Sequence, residues 1–255
     1  MAIKLIGVLI LSISFSASGQ IEKSLKELRE NGHFAWIEDS ISAQLTIYFE
    51  RDSYLSQRIG RVRKRIDLEI DSVSRFMKIP FYNKRIHLFV VESRAYMEKL
   101  IGRETNGVAF YKENVVTRIA SANLWSITRH EFFHTMAMNE WGVPETWINE
   151  GMAVACDNKW HGFDLFQLTH YLIDQNRYVP LRSLAKRFRR IDDRLSYPLL
   201  GSFFKFLNQK YGHAAVLDLW KKGLKRGLPA NLTLTQLERE WLNQIQQVTY
   251  NSIDY

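Results

Sequence analysis

The chain has 255 residues, of which 46% are hydrophobic, 24% charged and 13% aromatic, proportions that exclude disordered, collagen-like and coiled-coil architectures. Thirty-five Lys and Arg stand against 27 Asp and Glu, a formal charge of +8, a surplus that suits an anionic surface, a nucleic acid or an acidic substrate, or serves solubility alone. The single cysteine, Cys156, excludes an intrachain disulfide and a thiolate metal cage.

At the start of the chain, Lys4 precedes the apolar run Leu5-Ile6-Gly7-Val8-Leu9-Ile10-Leu11, followed by a Ser/Ala-rich stretch to Gly19. This order predicts a secretory signal peptide over residues 1–19, cut before Gln20. The run is about half the ~20 residues that a membrane span needs. No cysteine stands at the cut to carry a lipid, and no later run approaches spanning length. The expectation is an exported mature chain, periplasmic or extracellular, without a transmembrane segment. Residues 20–255 are expected to form one domain, with a strand-containing lobe over 20–140 and a helical lobe over 141–255.

Residues 21–32 predict a short amphipathic helix or arm, and the β-branched and aromatic run 45–49 a strand. From Tyr54 to Ile79, apolar residues recur mostly three or four apart, at Leu55, Ile59, Val62, Ile66, Ile70 and Val73. That period is helical, and Pro80 stops it. A second strand follows at 86–91, then a short helix through Leu100, and strands at 108–111 and 115–119. Beyond Asn123 the pattern is helical, with helices expected at 123–139, 146–158, 162–175, 181–189, 197–210, 213–224 and 234–248. Strands gather in the first half and helices in the second, which predicts an α+β fold: an N-terminal mixed strand/helix lobe packed on a mainly helical C-terminal lobe.

His130-Glu131-Phe132-Phe133-His134 carries the clearest chemistry. On a helix, residues i and i+4 share one face, so both imidazoles can reach a single metal ion. Glu131 then stands beside that ion as a base rather than a ligand. Fifteen residues, 135–149, separate His134 from Glu150. That length lets the first helix end at the Gly142-Val143-Pro144 turn and a second helix return Glu150 to the histidines. Two imidazoles and one carboxylate make the ligand set of a catalytic zinc, which keeps an open position.

Together these segments resemble the glutamate-zincin (gluzincin) metallopeptidases, in particular the secreted peptidase MA-like group related to aminopeptidase and thermolysin-like enzymes. Trp147, Asn149, Glu150, Gly151 and Ala153 stand as in that family's Trp-x-Asn-Glu-Gly-x-Ala motif. Residues 106–111, 115–119, 197–207, 210–212 and 234–241 also resemble its segments, so the likeness covers roughly residues 105–245. It implies a zincin-like fold with the active site between the two lobes, one Zn2+ on His130, His134 and Glu150, and Glu131 as general base. It also implies Tyr197 as a hydroxyl donor to the tetrahedral intermediate, the alternative being a core tyrosine. A peptide or protein substrate would lie along a sheet edge, at 115–119, by strand addition. Some relatives carry an acid one turn after the glutamate ligand, where this chain has Val154. Asp157 or Asn149 is left to orient a ligand, and the spacing to the third ligand is shorter than in the best-known members.

The expected function is a secreted zinc metallopeptidase, a hydrolase in which Glu131 deprotonates a zinc-activated water. A noncatalytic zinc-binding module of the same fold, docking a protein or cell-envelope partner, is the second reading, and the presence of Glu131 argues against it. A third reading, contact with an anionic cell-envelope surface, rests on the basic runs Arg58 to Arg65 and Lys186 to Arg190. No zinc finger or RNA-binding signature accompanies those runs, so no specific nucleic-acid partner is expected. His161 or His170 is a candidate for lining the cleft.

Overall fold

Leu45-Thr46-Ile47-Tyr48-Phe49 lacks the apolar–polar alternation of a half-exposed strand because both faces of its sheet are covered. The computed structural model describes residues 22–229, 232–251 and 253–255; the expected signal peptide lies outside the described residues. The sheet comprises β1 (Trp36–Ser40), β2 (Leu45–Glu50), β3 (Ile86–Val91), β4 (Gly107–Phe110) and β5 (Val115–Ile119), in spatial order β1-β2-β3-β5-β4. The three inner strands run parallel, and β1 and β4 pair antiparallel with their neighbours. Leu45, Ile47, Leu88, Val90 and Val116 share one core with apolar residues of α2 (Ile59–Met77) and α4 (Arg129–Trp141). Tyr48, Phe89, Val91, Val115 and Ile119 share another with α1 (Leu25–Arg29) and α3 (Arg94–Ile101).

Three expectations change in this lobe. Strand β1 was not predicted, because half-exposed Trp-Ile-Glu-Asp-Ser carries little apolar signal. Helix α2 begins at Ile59 rather than near Tyr54, since residues 51–58 form turns in which the Tyr54 amide donates to Glu92 at 2.5 Å. It closes where Lys78 turns left-handed (φ 53°) and the Ile79 amide donates to the Ser74 carbonyl, just before Pro80. The third is a correction. Residues 115–119 are not a sheet edge, because β5 is hydrogen-bonded to β3 on one side and β4 on the other. The edge strands are β1 and β4, and β4 is the one beside β5.

Among the described residues the second half is helical except for one short hairpin. It comprises α5 (Thr146–Asp157), β6 (Lys159–Trp160), β7 (Phe163–Asp164), α6 (Leu165–Asp174), α7 (Leu181–Arg187), α8 (Asp193–Arg226) and α9 (Leu234–Ile245). The β6–β7 turn places His161 and Gly162 at positive φ, a hairpin geometry that a helical reading of 162–175 missed. Helix α4 starts at Arg129, not near 123, because Ala120 bridges Trp125 and the Ser126 hydroxyl accepts the Ile119 amide at 2.8 Å. The two helices expected at 197–210 and 213–224 follow one path, broken at Gly212 (φ 81°) and again at Gly223 (φ 62°). Pro198 lies inside this path and supplies no amide for the carbonyl of Arg194, four residues earlier. The Tyr255 hydroxyl donates to that carbonyl at 2.7 Å instead.

Helices α5 and α8 cross at glycines. A Cβ on Gly151 would lie 2.5 Å from the Phe204 ring, and one on Gly201 would lie 2.3 Å from Val154. This close approach seats the middle of α5 against the buried half of α8. The N-terminal strand/helix region thus packs on the helical region, with His130, His134 and Glu150 at their interface. Among the described residues no helix is long and apolar enough to cross a membrane.

Candidate metal centre

Helix α4 is buried over most of its circumference from Glu131 to Ala137, which encloses His134, while His130, one turn earlier, is half-buried and opens on a cleft. His130 and His134, one turn apart, have ring centroids 4.7 Å from each other. Nε2 of His130 lies 3.3 Å and Nε2 of His134 3.5 Å from the same Glu150 oxygen, Oε2. Two ligands each 2.0–2.2 Å from a tetrahedral zinc stand roughly 3.3–3.6 Å apart. These two separations are already those of a coordination shell, and donor atoms of all three residues lie within 4.8 Å of one another.

Each far nitrogen faces a polar group of another element. His134 Nδ1 hydrogen-bonds Asn149 Oδ1 at 2.9 Å, and His130 Nδ1 lies 3.7 Å from Asp157 Oδ2. The Asn149 bond fixes the His134 tautomer and leaves its Nε2 for the metal, while Asp157 stands beyond hydrogen-bond range of His130 as a neighbouring carboxylate. Each alternative for an orienting residue thus meets a different histidine. Val154 takes no part, because its side chain packs against Gly201. The motif around Glu150 now has a physical reading. Trp147 is buried against Phe204, Asn149 holds His134, Gly151 admits α8, and Ala153 is fully buried.

Charge in the cluster is strongly coupled. Burial disfavours a charged His134, yet the Glu150 carboxylate outweighs it and carries the imidazole up to about 9. Burial likewise works against ionised Glu150, but His134 and then His130 hold it well below the usual carboxylate range. Without a metal, these shifts favour a protonated His134 beside an ionised Glu150, a charge that a divalent cation would replace.

Glu131 lines the same cleft, and its Oε1 accepts from Arg118 Nη1 at 2.9 Å. Both residues are 8% exposed. Arg118 shares a strand face with Val116, towards α4, and its register partner is Gly107. A Cβ on Gly107 would lie 2.5 Å from the Arg118 side chain, so glycine there makes room for the guanidinium. Arg118 was not among the expected site residues. Its signal was a lone charge in the apolar run Val115-Val116-Thr117-Arg118-Ile119.

These groups line a cleft of about 620 Å³ bounded also by the start of β4 and the β6–β7 hairpin. Tyr197 is buried in its wall, stacked on Trp160 with centroids 5.0 Å apart, and its ring centre lies 6.5 Å from that of His130. His161 lines the same cleft. His170 does not, being turned to the Val248 carbonyl. Cys156 is buried, and burial pushes its thiol up. His130, His134 and Glu150 match the zinc-binding pattern typical of gluzincin metallopeptidases. No protein-family model and no curated protein matches the chain.

Proposed function

We propose that this protein is an exported zinc metallopeptidase that hydrolyses peptide bonds. The observation that carries the reading is the approach of both histidine Nε2 atoms to one Glu150 oxygen, with Glu131 adjoining the same cleft. His130, His134 and Glu150 would hold one ion, their donor set being that of a catalytic site. Zinc bound there supplies Lewis acidity to the scissile carbonyl and acidifies a water beside it. Glu131, steadied by Arg118, takes a proton from the attacking water and passes it to the leaving amine as the C–N bond breaks. The Tyr197 phenol donates to the oxyanion that develops on the carbonyl. The free edge of β4 offers backbone groups to an extended substrate. The leader-like sequence at residues 1–19 supports export.

The test pairs metal analysis with peptide-library cleavage by the wild type and Glu131→Gln. The variant should keep one zinc per chain and lose roughly 10²–10⁴-fold in kcat. Full activity in the variant would remove Glu131 from the role. A wild type that holds zinc yet cleaves nothing would instead leave a binding module of the same fold. Tyr197→Phe should keep its zinc and lose about 10²-fold in kcat.

A further inference from the structure

The ion pairs of the cleft leave a cationic remainder. Glu69 is paired with Arg129 at 3.5 Å and Glu131 with Arg118 at 2.9 Å, while Glu150 and Asp157 lie against the histidines. These are the cleft's four acids. Three further cations line it, namely Arg65, Arg103 and Lys159, and none forms an ion pair among the described residues. They come from separate elements: Arg65 from α2, Arg103 from the loop between α3 and β4, and Lys159 from β6. The fold therefore gathers them around one opening, and a bound divalent cation would add to the same sign. With Arg118 and Arg129 these make five cations against four acids in the cleft, and an excess of one sign in a confined site favours ligands of the other.

Resting on the peptidase reading, we infer that the cleft selects acidic peptides, with Arg103 and Lys159 as specificity residues that meet substrate carboxylates. A peptide accounts for the surroundings better than a nucleic acid does. The free edge of β4 begins four residues beyond Arg103 and offers main-chain hydrogen bonds. Single-stranded nucleic acid needs open aromatic faces for stacking, whereas Arg65 lies 5.6 Å over the Trp125 ring and Trp160 is stacked on Tyr197.

The experiment measures binding apart from turnover. Zinc-loaded Glu131→Gln protein is titrated with fluorescent decapeptides of acidic, neutral and basic composition, and the triple variant Glu131→Gln/Arg103→Gln/Lys159→Gln is titrated alongside. The acidic peptide should bind roughly tenfold or more tightly than the neutral one, a ratio that falls to about two- to threefold in the triple variant. Equal affinity for acidic and neutral peptides would overturn the inference. So would a preference unchanged in the triple variant, or binding of a single-stranded oligonucleotide in place of the acidic peptide. Persistent acid-selective binding with no cleavage by wild type would sink the peptidase reading alone. Cleavage without acid preference would sink this inference alone.

Discussion

The Asn149 amide oxygen and the His134 ring are 2.9 Å apart, a contact that sets which imidazole nitrogen is left for a metal. Replacing Asn149 by Ala should weaken zinc affinity about 10–100-fold while the fold persists; competition against a chromophoric chelator measures it. The same histidine predicts how metal-free stability depends on pH. His134 rises from an ordinary 6.5 to about 9 in the fold, so its contribution is complete below 6.5 and is lost as pH climbs through about 9. Glu150 is depressed from 4.5, so its contribution is complete above that value and is lost on acidification. Metal-free Tm should therefore decline between pH 6.5 and 9 on account of this pair. Zinc binding requires His134 to give up its proton, so the Tm gap between zinc-loaded and metal-free protein should widen over that interval. A gap that narrows from pH 6.5 to 9 would refute the coupling.

At the level of elements, placement of Glu150 depends on how closely α5 approaches α8. Val154 occupies the space that a side chain at position 201 would need. Gly201→Ala should destabilise the protein by about 1–3 kcal/mol through overpacking. For a chain of this length that is a fall in Tm of about 2–4 °C per kcal/mol, read by calorimetry. Zinc affinity should fall with it, since α5 carries the third ligand; unchanged affinity would show that the crossing does not position Glu150. The β6–β7 hairpin has its own fastening. Trp160 Nε1 donates to the Tyr255 hydroxyl at 2.9 Å, and that hydroxyl donates to the Arg194 carbonyl left without an amide partner by Pro198. Tyr255→Phe should cost on the order of 1 kcal/mol and loosen Trp160 over Tyr197, seen as a change in tryptophan emission.

For the whole molecule, the candidate centre joins the two regions, drawing its histidines from a helix packed on the sheet and its carboxylate from the helical half. Binding there acts on the folded state alone. At a free zinc concentration about 1,000 times Kd the stabilisation is about 4 kcal/mol, or about 8–16 °C in Tm, reversed by a chelator. A shift absent on chelation would argue against a metal at this interface.

Local chemistry made much of this legible in the linear chain. Helical spacing within His130-Glu131-Phe132-Phe133-His134, the turn at Gly142 and the return to Glu150 are near-neighbour features, so periodicity and chain length suffice to foresee them. The buried strands were legible for the same reason, being continuous apolar runs. Tertiary structure alone decided that β5 is internal and β4 an edge strand, because strand order depends on pairing between distant segments. It alone brought Arg118 to Glu131, with Gly107 making room across the sheet. And it alone divided Asn149 and Asp157 between the two histidines. Each depends on contacts between residues far apart in the chain or on different elements, which no local pattern encodes.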